Sequence, residues 1–406
     1  MRILHTADWH MQDRLGRQDR SDDIYRALEQ IAAYLKEYAV DVMLVAGDLF
    51  SEHCRSEQMR IAIAEIKRIF LPFIERGGTI IAISGNHDNE IFFDTLRDAL
   101  DLVAPRRSQT SNTHPTGQLY ITSRPRLLKL TGADGTLVQF VLMPYPTPRY
   151  YLNNARASYQ SIEHKHRTIQ EAFDKVFDDF QRKLDVRLPS VLMSHIHIRG
   201  AHIHSRYQPG EEDTIIVEAS SIPTHLTYIA YGHIHLPQSV FNGAAHIRYS
   251  GSIERMDIGE AKDTKSVVLC DIGVEGLIGE PCLLPLDSTP IYHVEITDPD
   301  NQLAQLAELY PDADRALVKY TLHWHPQKHN REDLCHTIET IFPRWYEHAF
   351  QEIGQNEAQK TMFSQQNILD VVGTVRDYLT ANLVNDPEQE QLLTLANELL
   401  AQEVWK

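Results

Sequence analysis

Over roughly the first 250 residues, short apolar runs alternate with amphipathic stretches. Val40-Asp41-Val42-Met43-Leu44-Val45-Ala46 and Thr79-Ile80-Ile81-Ala82-Ile83 are rich in β-branched residues and bounded by glycine, and they read as buried strands. Between them Met59, Ile63, Ile66, Phe70 and Phe73 recur at helical spacing over 56–76, and residues 22–38 do the same. Strand–helix–strand alternation predicts a sheet covered by helices. Residues 119–143, 213–218, 227–231, 238–249 and 265–271 switch to the alternation of antiparallel strands. The expected fold is α/β (α+β), a mixed sheet or two sheets packed together with helices outside.

The length, 406 residues, exceeds the ~250–300 that one core supports, so two or three domains are expected. Pro281, Pro285 and Pro290 interrupt the pattern and place a boundary near 281–290. Domains are therefore expected at 1–280, at 281–355 and at 356–406. The second reads as a small α+β unit with strands 291–296 and 315–322 and helices 300–309 and 329–349. The third reads as two helices over 365–404, split at Asn385-Asp386-Pro387, where Asp386 caps the second and Pro387 opens it.

Five segments carry the chemistry, each just after an apolar run: Asp8-Trp9-His10, Gly47-Asp48, Gly85-Asn86-His87-Asp88, Ser194-His195 and Gly232-His233-Ile234-His235. Strand ends present side chains to a shared crevice. The spacing of Asp8/His10 and of His233/His235 puts each pair on one side of an extended backbone. Carboxylate, amide and imidazole then converge as a ligand set for two divalent cations, with Asp48 the natural bridge. Donors without thiolate suit Mn2+, Fe2+ or Zn2+, and the oxygens favour Mn2+, with Mg2+, Fe2+ or Zn2+ as the alternatives. Two such cations activate water and clamp the oxygens of an in-line phosphoryl displacement. Taken singly, each histidine reads more readily as a hydrogen-bonded strand-end residue; the five segments together reverse that.

Composition narrows the picture. With 42% hydrophobic and 23% charged residues the chain is neither disordered nor coiled coil. It has no run of ~18 apolar residues and no signal-peptide start, so no membrane span is expected. Cys54, Cys270, Cys282 and Cys335 are too scattered for a disulfide framework, and a cytoplasmic location fits. The net charge of −17 looks hostile to nucleic acid. However, residues 291–406 carry 19 acids against 8 Lys/Arg, and residues 97–183 carry 13 Lys/Arg against 8 acids. Two divalent cations also add positive charge that the formal count omits.

The five segments resemble the calcineurin-like metallophosphoesterase superfamily, with its D-x-H, G-D, G-N-H-D/E, H and G-H-x-H pattern. Ile3-Leu4-His5-Thr6-Ala7-Asp8-Trp9-His10, Gly47-Asp48-Leu49-Phe50, Tyr231-Gly232-His233-Ile234-His235-Leu236-Pro237-Gln238, and Tyr249-Ser250-Gly251-Ser252-Ile253-Glu254-Arg255 with Gly259-Glu260 are similar, more narrowly, to the SbcD-type DNA-repair nucleases. The likeness covers about residues 1–272. It implies a two-sheet sandwich, a capping domain that recognises DNA, and a helical tail that docks on an SbcC-type coiled-coil SMC-like ATPase. It implies that Asp8, His10, Asp48 and His235 hold one metal, that Asp48, Asn86, His195 and His233 hold the other, and that His87 is the catalytic histidine. It further implies 3′→5′ exonuclease activity on double-stranded ends, endonuclease activity on hairpins or single strands, and a homodimer working at the nucleoid.

Some positions depart from that pattern. Ser51 stands where many relatives carry His or Asp, which leaves the partner of His87 open, and an expanded Met11–Arg17 loop borders the metals. His53, two residues on, reads as an exposed loop residue. His197, His202 and His204 read as solvent-facing or packing residues. Arg106-Arg107, Arg124, Arg126, Lys129 and His164-Lys165-His166-Arg167, with Tyr145, Tyr150, Tyr151 and Tyr159, read equally as a nucleic-acid face or a solvated one. Ile91, Phe92, Phe93, Leu96 and Leu100 read equally as a dimer face or as core.

Two rivals stand beside the nuclease. A phosphatase or cyclic-nucleotide phosphodiesterase is disfavoured, because Gly47-Asp48-Leu49-Phe50-Ser51 lacks the arginine of protein phosphatases and a small substrate needs no capping domain. A non-catalytic scaffold is disfavoured by the complete ligand set.

Overall fold

The computed structural model describes residues 1–52, 54–103, 113–153, 159–205, 215–241, 243–353, Leu392, Thr394 and Leu395. The expected tail helices, Arg106-Arg107 and His53 lie outside these residues apart from those last three. The chain divides into two compact units, Met1–Leu322 with Glu332–Ala349, and His323–Arg331 with Phe350–Lys406.

In chain order the first half runs β1 (Arg2–Thr6), a ribbon of β2 (Arg14–Leu15) and β3 (Gln18–Asp19), α1 (Ser21–Glu37), β4 (Val42–Ala46), α2 (Ser56–Glu75), β5 (Thr79–Ile83), α3 (Glu90–Val103), β6 (Leu119–Thr122), β7 (Arg126–Thr131) and β8 (Leu137–Met143). The single-turn α4 (Pro148–Tyr151), α5 (Ile162–Gln181), β9 (Ser190–His195), β10 (His197–Ile198), β11 (Ile216–Val217), β12 (Tyr228–Gly232), β13 (Gln238–Ser239), β14 (Ile247–Tyr249), β15 (Ser266–Gly273) and β16 (Gly276–Pro285) follow.

Two six-stranded sheets result, ordered β16-β15-β1-β4-β5-β6 and β13-β14-β12-β9-β8-β7. They pack face to face. Ile3, Leu44, Ala46 and Ile81 from one sheet meet Phe140, Leu142, Val191, Met193 and Ala230 from the other in a buried core. Alternate residues Leu4, Met43 and Val45 face α1 and α2, and Leu192 and Ile229 face α5. Both faces of these strands are covered, so β4 and β5 are buried at every position, as parallel strands under helices require. Of the expected α/β arrangements, two packed sheets with helices outside is the observed one.

Two expectations about these elements change. Residues 119–122 pair parallel with β5, and β12 pairs parallel with both β9 and β14. Alternation marks a strand but says nothing of the direction of its partner. Among the described residues, the alternation seen over 213–218 and 238–249 shortens to Ile216–Val217 and to Gln238–Ser239 with Ile247–Tyr249.

The third sheet is β17 (Ile291–Ile296), β18 (Leu317–Trp324) and β19 (Trp345–Glu352), with α6 (Pro299–Leu309) and α7 (Arg331–Ile341). The helix expected through residue 349 ends at Ile341. Pro343 cannot continue it, and Trp345, Tyr346 and Phe350 favour a strand. We propose three parts, at 1–280, 281–355 and 356–406; the first boundary falls within β16, which runs on to Pro285.

The Glu254-Arg255 segment acts as a structural joint. Buried Arg20 bonds Glu254 Oε2 at 3.3 Å, Asp23 Oδ2 at 3.1 Å and the Arg255 carbonyl at 2.8 Å. Arg344 reaches Asp23 Oδ2 at 2.6 Å, and Arg255 donates to the carbonyls of Ser288 and Thr289.

His5 bridges the two sheets. Its Nε2 lies 3.1 Å from the Tyr231 carbonyl, which can only accept, so Nδ1 takes the Tyr228 hydroxyl at 3.0 Å. Burial pushes this imidazole down to about 3. In the unfolded chain it protonates near pH 6.5, whereas the native state stays neutral. Stability from this site is therefore complete above that pH and falls by about 1.4 kcal/mol per unit below it, down to about pH 3. Guanidinium unfolding of chelator-treated protein between pH 7 and 4 should show a flatter pH dependence for His5→Gln than for wild type; parallel curves would count against this assignment.

Candidate active site

The parallel strands β1, β4, β5, β9 and β12 all end at one edge of the sandwich, and the five segments leave from those ends. The backbone there is not extended, contrary to expectation. Asp8, His10, Asp48 and His233 have φ of +52°, +45°, +53° and +90°. Each is a strained left-handed position for a residue with a Cβ, and such strain persists only where the surroundings over-determine it. Here the Asp8 amide donates to the Gly47 carbonyl at 3.0 Å, and the His10 amide to the Asp48 carbonyl at 3.0 Å. The His233 amide donates to Asp8 Oδ1 at 3.0 Å. Left-handed kinks, rather than strand alternation, turn the paired side chains into one space.

All seven expected ligands gather there. Asp8, His10 and His235 form one group, Asp8, Asp48 and His195 a second, and His10, Asp48 and His87 a third, each with ligand atoms within 4.8 Å of one another. Asn86 Oδ1 lies 3.0 Å from His195 Nε2 and 2.9 Å from His233 Nδ1.

The donor chemistry calls for cations. His195 Nδ1 lies 2.7 Å from the Ala46 carbonyl and must carry a hydrogen, so in the neutral ring the Nε2 lone pair faces Asp48 Oδ2 at 3.2 Å. His235 Nδ1 lies 2.8 Å from Glu260 Oε1, so its Nε2 lone pair faces His10 Nε2 at 3.2 Å. Lone pairs that face one another in a buried space repel unless a cation or a proton lies between them. Burial pushes the Asp8 carboxyl up and the His10 and His233 imidazoles well down. For His195, burial lowers and Asp48 with Asp8 more than offset it, up to about 9. The residues fit two divalent cations.

Asp88 ties the loops together. It is buried and accepts the amides of Gly85 at 2.8 Å, Leu49 at 3.2 Å and Phe50 at 3.0 Å. Burial and neighbouring Asp48 push its carboxyl up to about 7 against those three donors. Gly85 sits so close that a Cβ would lie 2.0 Å from Asp48 Oδ1 and 2.5 Å from the Asp48 amide. Gly85→Ala should cost about 2–3 kcal/mol and displace Asp48, so Mn2+ no longer raises the unfolding temperature. Gly135→Ala, with open space but φ +83°, should cost about 1 kcal/mol and keep the Mn2+ response.

His87 has a neighbour that the motif did not suggest. Ser51 turns its hydroxyl to Asp13 Oδ1 at 3.2 Å, and Glu52 Oε2 comes within 3.5 Å of His87 Nδ1. His197 lies beside His233, ring centroids 6.1 Å apart, and Tyr145 lies 6.2 Å from His233. Exposed His202 bonds Gln238 through its amide, and His204 pairs with Asp263 at 2.7 Å. Three arginines of the basic stretch are paired locally, Arg97 and Arg124 with Asp94 and Arg149 with Glu90. The reading of single residues missed the roles of Asp88, Glu260, Lys265 and Glu52. Their partners lie elsewhere in the chain, and only the G-N-H-D and Gly259-Glu260 motif matches pointed at two of them.

This site on a two-sheet sandwich is that of a metal-dependent phosphoesterase, and the chain belongs to the calcineurin-like phosphoesterase family, whose profile matches residues 1–237. Two curated relatives narrow the likeness. The chain is 28% identical over 279 residues to the SbcD chain of the nuclease SbcCD from Bacillus subtilis (strain 168), covering 67% of this chain and 66% of the relative. It is 27% identical over 308 residues to the protein of the same name from Staphylococcus epidermidis (strain ATCC 12228 / FDA PCI 1200), covering 74% and 73%. The match thus spans about two thirds of the first relative's length. A solved dimetal phosphatase from Danio rerio is 10% identical, covers 71% of this chain and 99% of that one, and has a TM-score of 0.39, too slight a likeness to argue from. No helix of the described residues is long and apolar enough to cross a membrane.

Proposed function

We propose that the protein is a two-metal DNA nuclease, a 3′→5′ exonuclease on double-stranded ends and an endonuclease on hairpins or single strands. It would act in the cytoplasm on the nucleoid, in double-strand break repair, with an SbcC-type ATPase docked on residues 356–406. The observation that carries the reading is the convergence of Asp8, His10, Asp48, Asn86, His195, His233 and His235 on one space. Asp8, His10, Asp48 and His235 would hold one cation, and Asp48, Asn86, His195 and His233 the other, with Mn2+ favoured by the oxygen donors. When bound, the pair supplies an activated water and positive charge for the phosphate oxygens.

The chain's own groups do the rest. Asp48 sits between the two halves of the donor set, 3.2 Å from His195 Nε2 and 3.8 Å from His10 Nε2. His87 stands beside His10, ring centroids 5.1 Å apart, with its side chain half-buried at the site's mouth. There it can donate a proton to the leaving oxygen or a hydrogen bond to the transition state. Glu52 would steady it. An apolar groove of ≈ 480 Å³ lined by Ile63, Ile66, Leu71, Leu96 and Leu100 lies between α2 and α3, and Ile91 is 61% exposed. Together they support a homodimer over a face wholly spent on the chain's own core.

The test is cleavage of linear and hairpin DNA with Mn2+, beside a phosphomonoester. Metal-dependent cleavage of DNA is the expected result. Hydrolysis of the phosphomonoester alone would replace this reading with a phosphatase, and no hydrolysis of either would point to a scaffold.

A further inference from the structure

We propose that Glu260 and Lys265 are positioning residues that lock the His235 imidazole with its Nε2 lone pair in the metal site. They thereby set the affinity of the position formed by Asp8, His10 and His235. The inference rests on the reading of those three residues as ligands of one cation.

Glu260 and Lys265 are both fully buried. One carboxylate oxygen of Glu260 takes the Nδ1 hydrogen of His235 at 2.8 Å. The other takes the Lys265 ammonium at 2.6 Å and the Met256 amide at 3.0 Å. Lys265 also donates to the backbone carbonyl of His235 at 2.9 Å. His235 is thus held twice, at its ring through the carboxylate and at its backbone through the ammonium. The carboxylate can only accept here, which fixes the tautomer and leaves Nε2 free for a cation. Asp263, 3.7 Å from the ammonium, carries the charge chain to His204 at the surface.

Stability alone is a poor reason for this arrangement. A buried ion pair costs several kcal/mol of desolvation, and an apolar pair of the same volume commonly serves as well or better. The pair's distinguishing contacts are those it makes to His235. His195 is held differently, because its Nδ1 rests on the Ala46 carbonyl at 2.7 Å instead of on a carboxylate. Loss of Glu260 should therefore affect one metal position and spare the other.

The experiment is calorimetric titration of Mn2+ into chelator-stripped full-length protein, for wild type, Glu260→Gln and the double variant Glu260→Leu/Lys265→Met. The double variant removes both charges, so it stays foldable even if the single one leaves a buried ammonium unpaired. Thermal unfolding of each stripped protein verifies the fold. Wild type should bind two Mn2+. Each variant should keep one at an affinity within about twofold of wild type and bind the other about 10–100-fold more weakly. Two Mn2+ bound as tightly as in wild type would overturn the proposal and leave the ligand set standing. Equal weakening of both positions would also overturn it, because general loosening of the site does that. A wild-type chain that binds no Mn2+ would overturn both the proposal and the reading beneath it.

Discussion

Asp48→Asn is expected to lose metal-dependent DNA cleavage by at least about 10³-fold. Asp48 stands between both halves of the donor set, with one oxygen 3.2 Å from His195 Nε2 and 3.8 Å from His10 Nε2. The substitution removes the charge a bridging ligand must supply. It keeps an Oδ1 acceptor for the His87 amide, now 2.9 Å from Asp48 Oδ1, so the 85–88 loop has no reason to move. The companion readout is thermal unfolding with and without Mn2+. Wild type should gain stability as Mn2+ rises past its dissociation constant, and Asp48→Asn should gain none in that range. A variant that still cleaves, or still responds to Mn2+ as wild type does, would remove Asp48 from the role of bridge.

His87→Ala should separate chemistry from metal binding. General acid catalysis is worth about 10²–10⁴-fold, and a loss of that order is expected. It is the amide of His87, not its ring, that holds Asp48, so alanine preserves that contact. The Mn2+ dependence of unfolding should therefore stay close to wild type while cleavage falls. The leaving group tells which task the ring performs. A nitrophenyl phosphodiester needs little protonation on departure, so a proton donor at His87 predicts a much smaller loss on that substrate than on DNA. Equal losses on both would assign the ring to the transition state instead. If wild type and His87→Ala leave the same background of DNA cleavage, the nuclease reading fails.

Much of the site was legible from residue order. The five segments follow apolar strands whose β-branched composition marks them, and β4 and β5 form where the runs 40–46 and 79–83 predict. The partner of His87 was not legible, because the expected loop position holds Ser51, and Glu52 matters only through the path of the chain after β4. The break after α7 has a local mark in Pro343, but the strand that follows it rests on pairing across the third sheet.

What the sequence by itself determined is the inventory: which carboxylates, imidazoles and amide sit at the ends of apolar strands, and therefore which family of chemistry they can perform. Periodicity and motif spacing are local, and these features are local. Tertiary structure decided how the inventory is aimed. Strand direction depends on partners far along the chain, as in β12 between β9 and β14. The kinks at Asp8, His10, Asp48 and His233 exist because loops separated by up to 225 residues share hydrogen bonds, among them the His233 amide to Asp8. The net charge of −17 is likewise only a sum. Burial placed Asp8 and Asp48 where cations would meet them, and paired Glu260 with Lys265 behind His235, where one buried charge offsets the other.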